Sequence, residues 1–333
     1  MIPPSARRRR RPGRWFAGAG VTSGVLLLAA CGSPSPTRRA EAPTTSSPST
    51  TSTTAPTTST TTPAAPTAGS PTWAVLSTDV GGTAVEERTI TVPSGRVVTL
   101  VRFDAGRVVF DLHIGSSDPP VNLALIPQDR GPAIAADEVP FLLAVFNGGF
   151  KMNAGQGGVE VDGQVVSPLM DGKASFVIDA NGTAHIGVWG SALPTPGEQV
   201  ESVRQNLPPL ITGGAPNPTV GTPADWGATV NSSMVVARSA AGEDAQGNII
   251  YAGGMALLPA DLSAALLTAG AVNAMQLDIN PEWVQLDAAA TAGAPLATQV
   301  PGQNRPDDQY LAGWTRDFFA VIALTSVSPR RPR

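Results

Sequence analysis

The stretch Phe141-Leu142-Leu143-Ala144-Val145-Phe146-Asn147-Gly148-Gly149 is an apolar run that ends in a polar glycine turn. Six consecutive apolar residues are too few for a globular helix. They suit a central strand buried on both faces, which delivers its C-terminal loop to a fixed place. Adjacent glycines allow positive φ and close backbone approach, so their N–H groups can face a ligand oxygen; they can equally make a plain turn. Asn147, Gly148, Gly149 and Lys151 are therefore candidate binding residues.

Working outward, strand and turn signals dominate. Thr89-Ile90-Thr91-Val92 and Arg96-Val97-Val98-Thr99-Leu100-Val101 flank Pro93-Ser94-Gly95, and a further strand is expected over 107–113. Residues 159–166 read as a hairpin with Asp162-Gly163 at its turn, and 174–179 with 184–189 as another around Ala180-Asn181-Gly182. Residues 234–239 and 248–252 form a third pair, joined through 242–247. One helix is expected, opened by Pro259 and Asp261, with Leu262, Ala265, Leu266 and Ala269 on one face and Gly270 at its close. Ala274-Met275-Gln276-Leu277-Asp278-Ile279 then reads as a buried strand, presenting Asp278, Asn280 and Glu282 at its end. The class is α+β, a hairpin-rich mixed sheet with few helices.

The polar strand ends carry the candidate chemistry. Asp278 and Glu282 can work as an acid/base pair, Asp278 can bind a cation, and both can simply cap a strand end. Arg238 follows apolar strand residues, where an arginine drawn inward pairs with a carboxylate or binds an anion. His113 and His185 are the only histidines, so a histidine-cluster metal site is not expected; His185 alternates within a hairpin and reads as structural. With no Gly-x-Ser-x-Gly elbow, classical serine hydrolase chemistry is disfavoured.

Charge and cysteine usage bound the partners. Residues 73–328 hold 11 Lys and Arg against 25 Asp and Glu, a formal charge of −14, whereas the whole chain is at −4. A body this acidic is repelled by nucleic acid. Arg7 to Arg11 and Arg14 crowd the start, an apolar run follows, and Leu28-Ala29-Ala30-Cys31-Gly32 places the single cysteine behind small residues. That order describes a secretory signal, and its end resembles a lipoprotein lipobox. The expected organisation is a signal peptide over 1–31 lipidated at Cys31, a Ser/Thr/Pro-rich disordered stalk over 32–72, a folded domain over 73–328 and a basic tail over 329–333. The domain is expected at the extracytoplasmic face of the cell membrane, held there through the lipid.

Taken in order, the domain's segments resemble the phosphodiester glycosidase family, which includes the lysosomal uncovering enzyme and many secreted bacterial proteins. The matching points are Phe146-Asn147-Gly148-Gly149-Phe150, the Asp162-Gly163 hairpin, Arg204-Gln205-Asn206-Leu207, Arg238 with Gly242 after it, Leu277-Asp278, Tyr310 and Arg316-Asp317-Phe318-Phe319. They span 103–324 and are most similar to an actinobacterial lipoprotein branch. Family enzymes carry Asn-Leu-Asp-Gly-Gly-Gly-Ser where this chain has Gln276-Leu277-Asp278-Ile279-Asn280-Pro281-Glu282, so the glycines after the aspartate are gone. The resemblance implies a phosphodiester-glycosidase-like fold and hydrolysis of sugar phosphodiesters in the cell envelope. It assigns Asp278 to acid/base or cation-binding work, Arg238 to the phosphate and Glu282 to the second carboxylate. Asn147, Gly148, Gly149, Lys151, Asn206 and Asn280 would hold sugar or phosphate oxygens, and a divalent cation (Ca²⁺ or Mg²⁺) could bridge phosphate to Asp278. The alternative is a non-catalytic lipoprotein that binds an envelope glycan or a partner. Convergence of Asn147, Arg238, Asp278 and Glu282 on one open cleft favours the enzyme; dispersal or mutual satisfaction favours the alternative.

Overall fold

The computed structural model describes residues 72–154, 157–227 and 233–324. The signal segment with Cys31, the stalk up to residue 71 and the tail over 329–333 lie outside the described residues. The chain first forms β1 (Ala74–Asp79), β2 (Gly82–Thr91), β3 (Val97–Phe103), β4 (Val108–His113) and β5 (Leu142–Asn147). Next come β6 (Val159–Val161), β7 (Gln164–Ser167), β8 (Ala174–Asp179), β9 (Ala184–Val188), β10 (Val200–Gln205), β11 (Ile211–Thr212) and β12 (Ala215–Pro216). Strands β13 (Val236–Asp244) and β14 (Ile249–Leu257) precede helix α1 (Pro259–Thr268). The chain ends with β15 (Ala271–Ile279), β16 (Leu286–Ala289), β17 (Leu296–Thr298), the short α2 (Gln309–Ala312) and β18 (Phe318–Ala323).

These strands make three sheets, in the orders β1-β2-β3-β14-β13-β15-β11-β12, β7-β6-β10-β8-β9 and β17-β16-β5-β18-β4. Every strand ladder among the described residues is antiparallel, which corrects the expectation of a mixed sheet. Hairpins account for the pairs adjacent in sequence, because a two-residue turn joins antiparallel neighbours, while ladders such as β3–β14 and β5–β18 are long-range. Asp162 and Gly163 at the β6–β7 turn hold φ of 48° and 73°, the positive values a type I′ turn requires. At the β2–β3 turn the Gly95 amide donates to Val92 O at 2.8 Å.

The β13–β14 turn is shorter than expected. It is made by Asp244 to Asn248, with Asp244 Oδ1 accepting from the Gln246 and Asn248 amides at 2.9 Å each. Gly242 instead lies inside β13, where a Cβ would sit 2.9 Å from Ala271 Cβ and 3.1 Å from Leu266 Cδ2. Glycine is needed there so that α1 can settle on the sheet. The helix starts as expected: Pro259 opens it and the Asp261 carboxylate accepts from the Leu258 amide at 2.7 Å. Leu262, Ala265 and Leu266 face Val98, Leu100, Ile250 and Ala274. Gly242→Val is expected to cost about 1–3 kcal/mol through overpacking. A urea midpoint unchanged by the substitution would contradict this packing.

The core lies where the three sheets meet. Phe103 and Tyr251 come from the first sheet, Phe176 from the second, and Phe110, Phe146 and Phe319 from the third. Phe146 stacks on Phe103 at 5.8 Å and on Phe319 at 5.2 Å, Phe319 meets Phe176 at 4.3 Å, and Phe146 meets Tyr251 at 5.5 Å. Such contacts add roughly 0.5–1.5 kcal/mol per pair beyond burial. As its unbroken apolar run requires, β5 is an inner strand, paired with β16 on one side and β18 on the other. Its last residue, Asn147, lies opposite Phe318, the first residue of β18. Gly148 O then accepts the Asp278 amide at 3.0 Å, which brings the end of β15 to the same point.

Candidate functional site

Gly148 and Gly149 form the junction of these strand ends. The Gly148 amide donates to Asp317 O at 3.0 Å, and the Gly149 amide to the Asp317 carboxylate at 3.1 Å. A Cβ on Gly148 would overlap the Asp317 carboxylate, and one on Gly149 would lie 2.8 Å from Arg204 Cζ. The pair is glycine because two buried charged side chains pass directly over its backbone. Arg204 reaches in from β10, donating to Asp317 through Nε at 2.7 Å and Nη2 at 3.2 Å, to Gln205 O at 2.6 Å and to Phe150 O at 2.6 Å. This buried fork-to-carboxylate pair fixes the loop.

Asp278 and Arg316 make the second pair. Arg316 Nη2 donates to the Asp278 carboxylate at 2.6 Å and to Gly149 O at 2.9 Å. The other carboxylate oxygen of Asp278 accepts from the Ile279 amide at 2.8 Å. Arg316 is only 4% exposed, yet its Nε and Nη1 have no hydrogen-bond partner among the described residues. Its guanidinium lies 4.8 Å from the Trp283 ring centroid, and Lys151 Nζ lies 4.9 Å from the same ring. Buried guanidinium N–H groups cost free energy when unpaired, which singles out this edge of Arg316 as a candidate for an incoming acceptor.

Burial pushes the Asp278 carboxyl up to about 7, outweighing Arg316 and the Ile279 amide, which favour the anion; Asp317 adds to the rise. A carboxyl with an ordinary value of 3.8 when unfolded and about 7 when folded holds its proton more tightly in the native state. Its contribution to stability is full below the unfolded value and is lost as the pH rises through the folded one. Wild type should therefore lose stability relative to Asp278→Asn between about pH 4 and 7. Urea midpoints for both proteins across that range check it; a pH-independent difference would show that Asp278 stays ionised beside Arg316.

The other expected residues are placed elsewhere or already engaged. Asn147 uses its whole capacity internally: Nδ2 donates to Gly148 O and Ser239 Oγ, and Oδ1 accepts from Tyr251 Oη and the Gln285 amide. It shapes the turn and has no bond left for a ligand. Arg238 is 0% exposed and donates to Leu257 O, Trp226 O, Gln276 Oε1 and Met234 O. Burial lowers its pKa to about 10, with Asp261 opposing. It binds backbone carbonyls together with a glutamine, neither the carboxylate nor the anion expected. Glu282 leaves the site altogether; its side chain is 53% exposed and pairs with Arg305 at 2.8 Å. Asn280 adopts φ 79° and turns the chain after β15, which explains why an asparagine tolerates this glycine-like position. Asn206 Nδ2 donates to Gln276 O and Leu277 O, leaving its buried Oδ1 without a partner. Lys151 is exposed over Trp283.

Thus the four residues whose convergence would have marked an open cleft do not converge. Asp278 alone of them belongs to a pair with unused bonding capacity. The residues that complete the site, Arg316 and Trp283, with Arg204 and Asp317 behind them, sit near the strand ends but were not assigned roles from sequence. An adjacent Arg-Asp directly before the apolar Phe318-Phe319 was the available signal, in a domain so short of cations.

The donor set does not fit a divalent cation. Both Asp278 oxygens are engaged, Asp317 is committed to Arg204, and no group of three or more His, Cys, Asp or Glu among the described residues could hold a metal. Neither histidine is at the site. His113 is buried against Phe318, its pKa driven down to about 3 by burial and by Arg130, and His185 pairs with Glu243.

No protein-family model matches the chain, and no curated protein matches it at a significant level. Among solved structures, it is similar to the catalytic domain of zebrafish N-acetylglucosamine-1-phosphodiester alpha-N-acetylglucosaminidase, auto-inhibited by its pro-peptide. That likeness has a TM-score of 0.44 and 15% identity, over 76% of this chain and 88% of that one. A hypothetical protein from Synechocystis is similar at a TM-score of 0.40 and 14% identity, over 72% and 62%. Likenesses this distant bear on neither the chemistry nor the residues of the site.

Proposed function

We propose that the domain hydrolyses sugar phosphodiesters of the cell envelope, with Arg316 holding the phosphate and Asp278 supplying the proton. One observation carries this reading: a buried guanidinium binds a carboxyl with one nitrogen and keeps its other two nitrogens unpartnered beside it. A carboxyl titrating at about 7 is poised to give a proton near neutral pH, and in its neutral form it does not repel a phosphate. The family resemblance of the sequence supports the substrate class. Export and tethering through Cys31 complete the proposal, placing the domain among envelope glycans.

With Glu282 paired to Arg305 and Asp317 to Arg204, no second free carboxylate stands beside Asp278 among the described residues. The work falls on stabilising the departing phosphate, whose charge Arg316 faces. The test is release of free sugar from a panel of sugar-1-phosphodiesters, with Asp278→Asn as the control. A binding-only role has two observations in its favour: Asn147 and Arg238 are satisfied internally while Glu282 pairs with Arg305 away from them, and Asp278 is just 6% exposed. Tight binding of every diester in the panel without turnover would establish that alternative.

A further inference from the structure

The charges around Asp278 do not balance. Asp317 is used by Arg204, and Asp278 carries little charge below about pH 7. Lys151 has no ion-pair partner among the described residues, although 25 acidic residues stand in 73–328. It shares the indole of Trp283 with Arg316, each within 4.9 Å of the ring centroid. An indole ring attracts a cation at either face, so Trp283 favours the presence of both charges. The backbone beneath them is fixed, since Arg316 holds Gly149 O and Arg204 holds Phe150 O. Lys151 therefore starts from a fixed point with a flexible, exposed side chain.

We propose that Lys151 and the free edge of Arg316, gathered on Trp283, form a two-cation clamp that prefers a dianionic phosphomonoester over a monoanionic diester. The identity of that monoester as a reaction product rests on the hydrolase reading. Hydrolysis breaks the bond from the sugar C1 to the phosphate oxygen and joins the water oxygen to C1. The electron pair of the broken bond stays on the phosphate oxygen, which takes the Asp278 proton, and the water's second proton returns to Asp278. The released monoester has a second ionisation near pH ~6, so it leaves as a dianion at neutral pH. Two cations bind it more strongly than the diester, and the product holds the site until Lys151 lets go.

Calorimetric titration of the full chain near pH ~6.5, between that ionisation and Asp278's at about 7, tests this with phenyl phosphate and dimethyl phosphate. Wild type should bind phenyl phosphate roughly tenfold more tightly than dimethyl phosphate. Lys151→Ala should remove most of that preference and Lys151→Arg should keep it; both are surface changes compatible with folding. Equal affinities in wild type, an unchanged preference in Lys151→Ala, or no binding of either probe overturns the clamp. If the clamp is present but no sugar-1-phosphodiester is cleaved, the hydrolase reading alone fails. Cleavage without the Lys151-dependent preference leaves that reading standing and removes the clamp.

Discussion

Arg204→Ala is expected to destabilise the domain by about 3–5 kcal/mol, enough to unfold a large fraction of it under mild denaturant. The reason is what the substitution leaves behind. Asp317 is fully buried and takes both of its charge-assisted side-chain bonds from Arg204, so its negative charge would be stranded. Gln205 O and Phe150 O would lose their donors as well. Arg204→Lys should recover little, because one ammonium cannot reproduce the planar fork. Replacing both partners with apolar residues of similar volume, Arg204→Met with Asp317→Leu, should recover much of the loss, since no charge is then buried alone. Urea unfolding of the three variants checks this; a loss below about 1 kcal/mol for Arg204→Ala would mean that the pair does not hold the loop.

The local parts of this arrangement were legible in the sequence, and the non-local ones were not. β5 could be read because burial on both faces leaves a continuous apolar run. The β6–β7 hairpin could be read because Asp162-Gly163 states its own turn geometry. β10 escaped notice because Ser202, Arg204 and Gln205 are polar and yet buried. Gln205 Oε1, for example, accepts the amides of Gly158 and Met170, far away in the chain. Arg316 and Asp317 were visible as residues but not as a site, because Asp278 lies 38 positions from the first and Arg204 113 from the second. Glu282 shows the converse. Its nearness to Asp278 in sequence suggested a pair, but the left-handed turn at Asn280 sends it outward to Arg305. Arg238 was correctly read as inward, but carbonyl oxygens satisfy an arginine as well as a carboxylate does, and they leave no trace in composition.

The second large effect concerns catalysis. Asp278→Asn keeps the size of the side chain and an oxygen for Arg316 but removes the transferable proton. Sugar release should fall by roughly 10²–10⁴-fold, the usual range for loss of a general acid. The pH profile should change with it. In wild type kcat/KM should decline as the pH rises through about 7, because ionised Asp278 has no proton to give and repels the phosphate. The residual activity of Asp278→Asn should lack that limb. Phosphate affinity should survive the substitution, because the free edge of Arg316 remains.

The most direct measurement is the rate of sugar release from sugar-1-phosphodiesters by wild type and by Asp278→Asn, from about pH 5 to about pH 9. The proposed chemistry gives turnover by wild type that declines through about pH 7 and is nearly abolished in Asp278→Asn. Turnover unaffected by the substitution, or no turnover on any diester that the protein demonstrably binds, would contradict it.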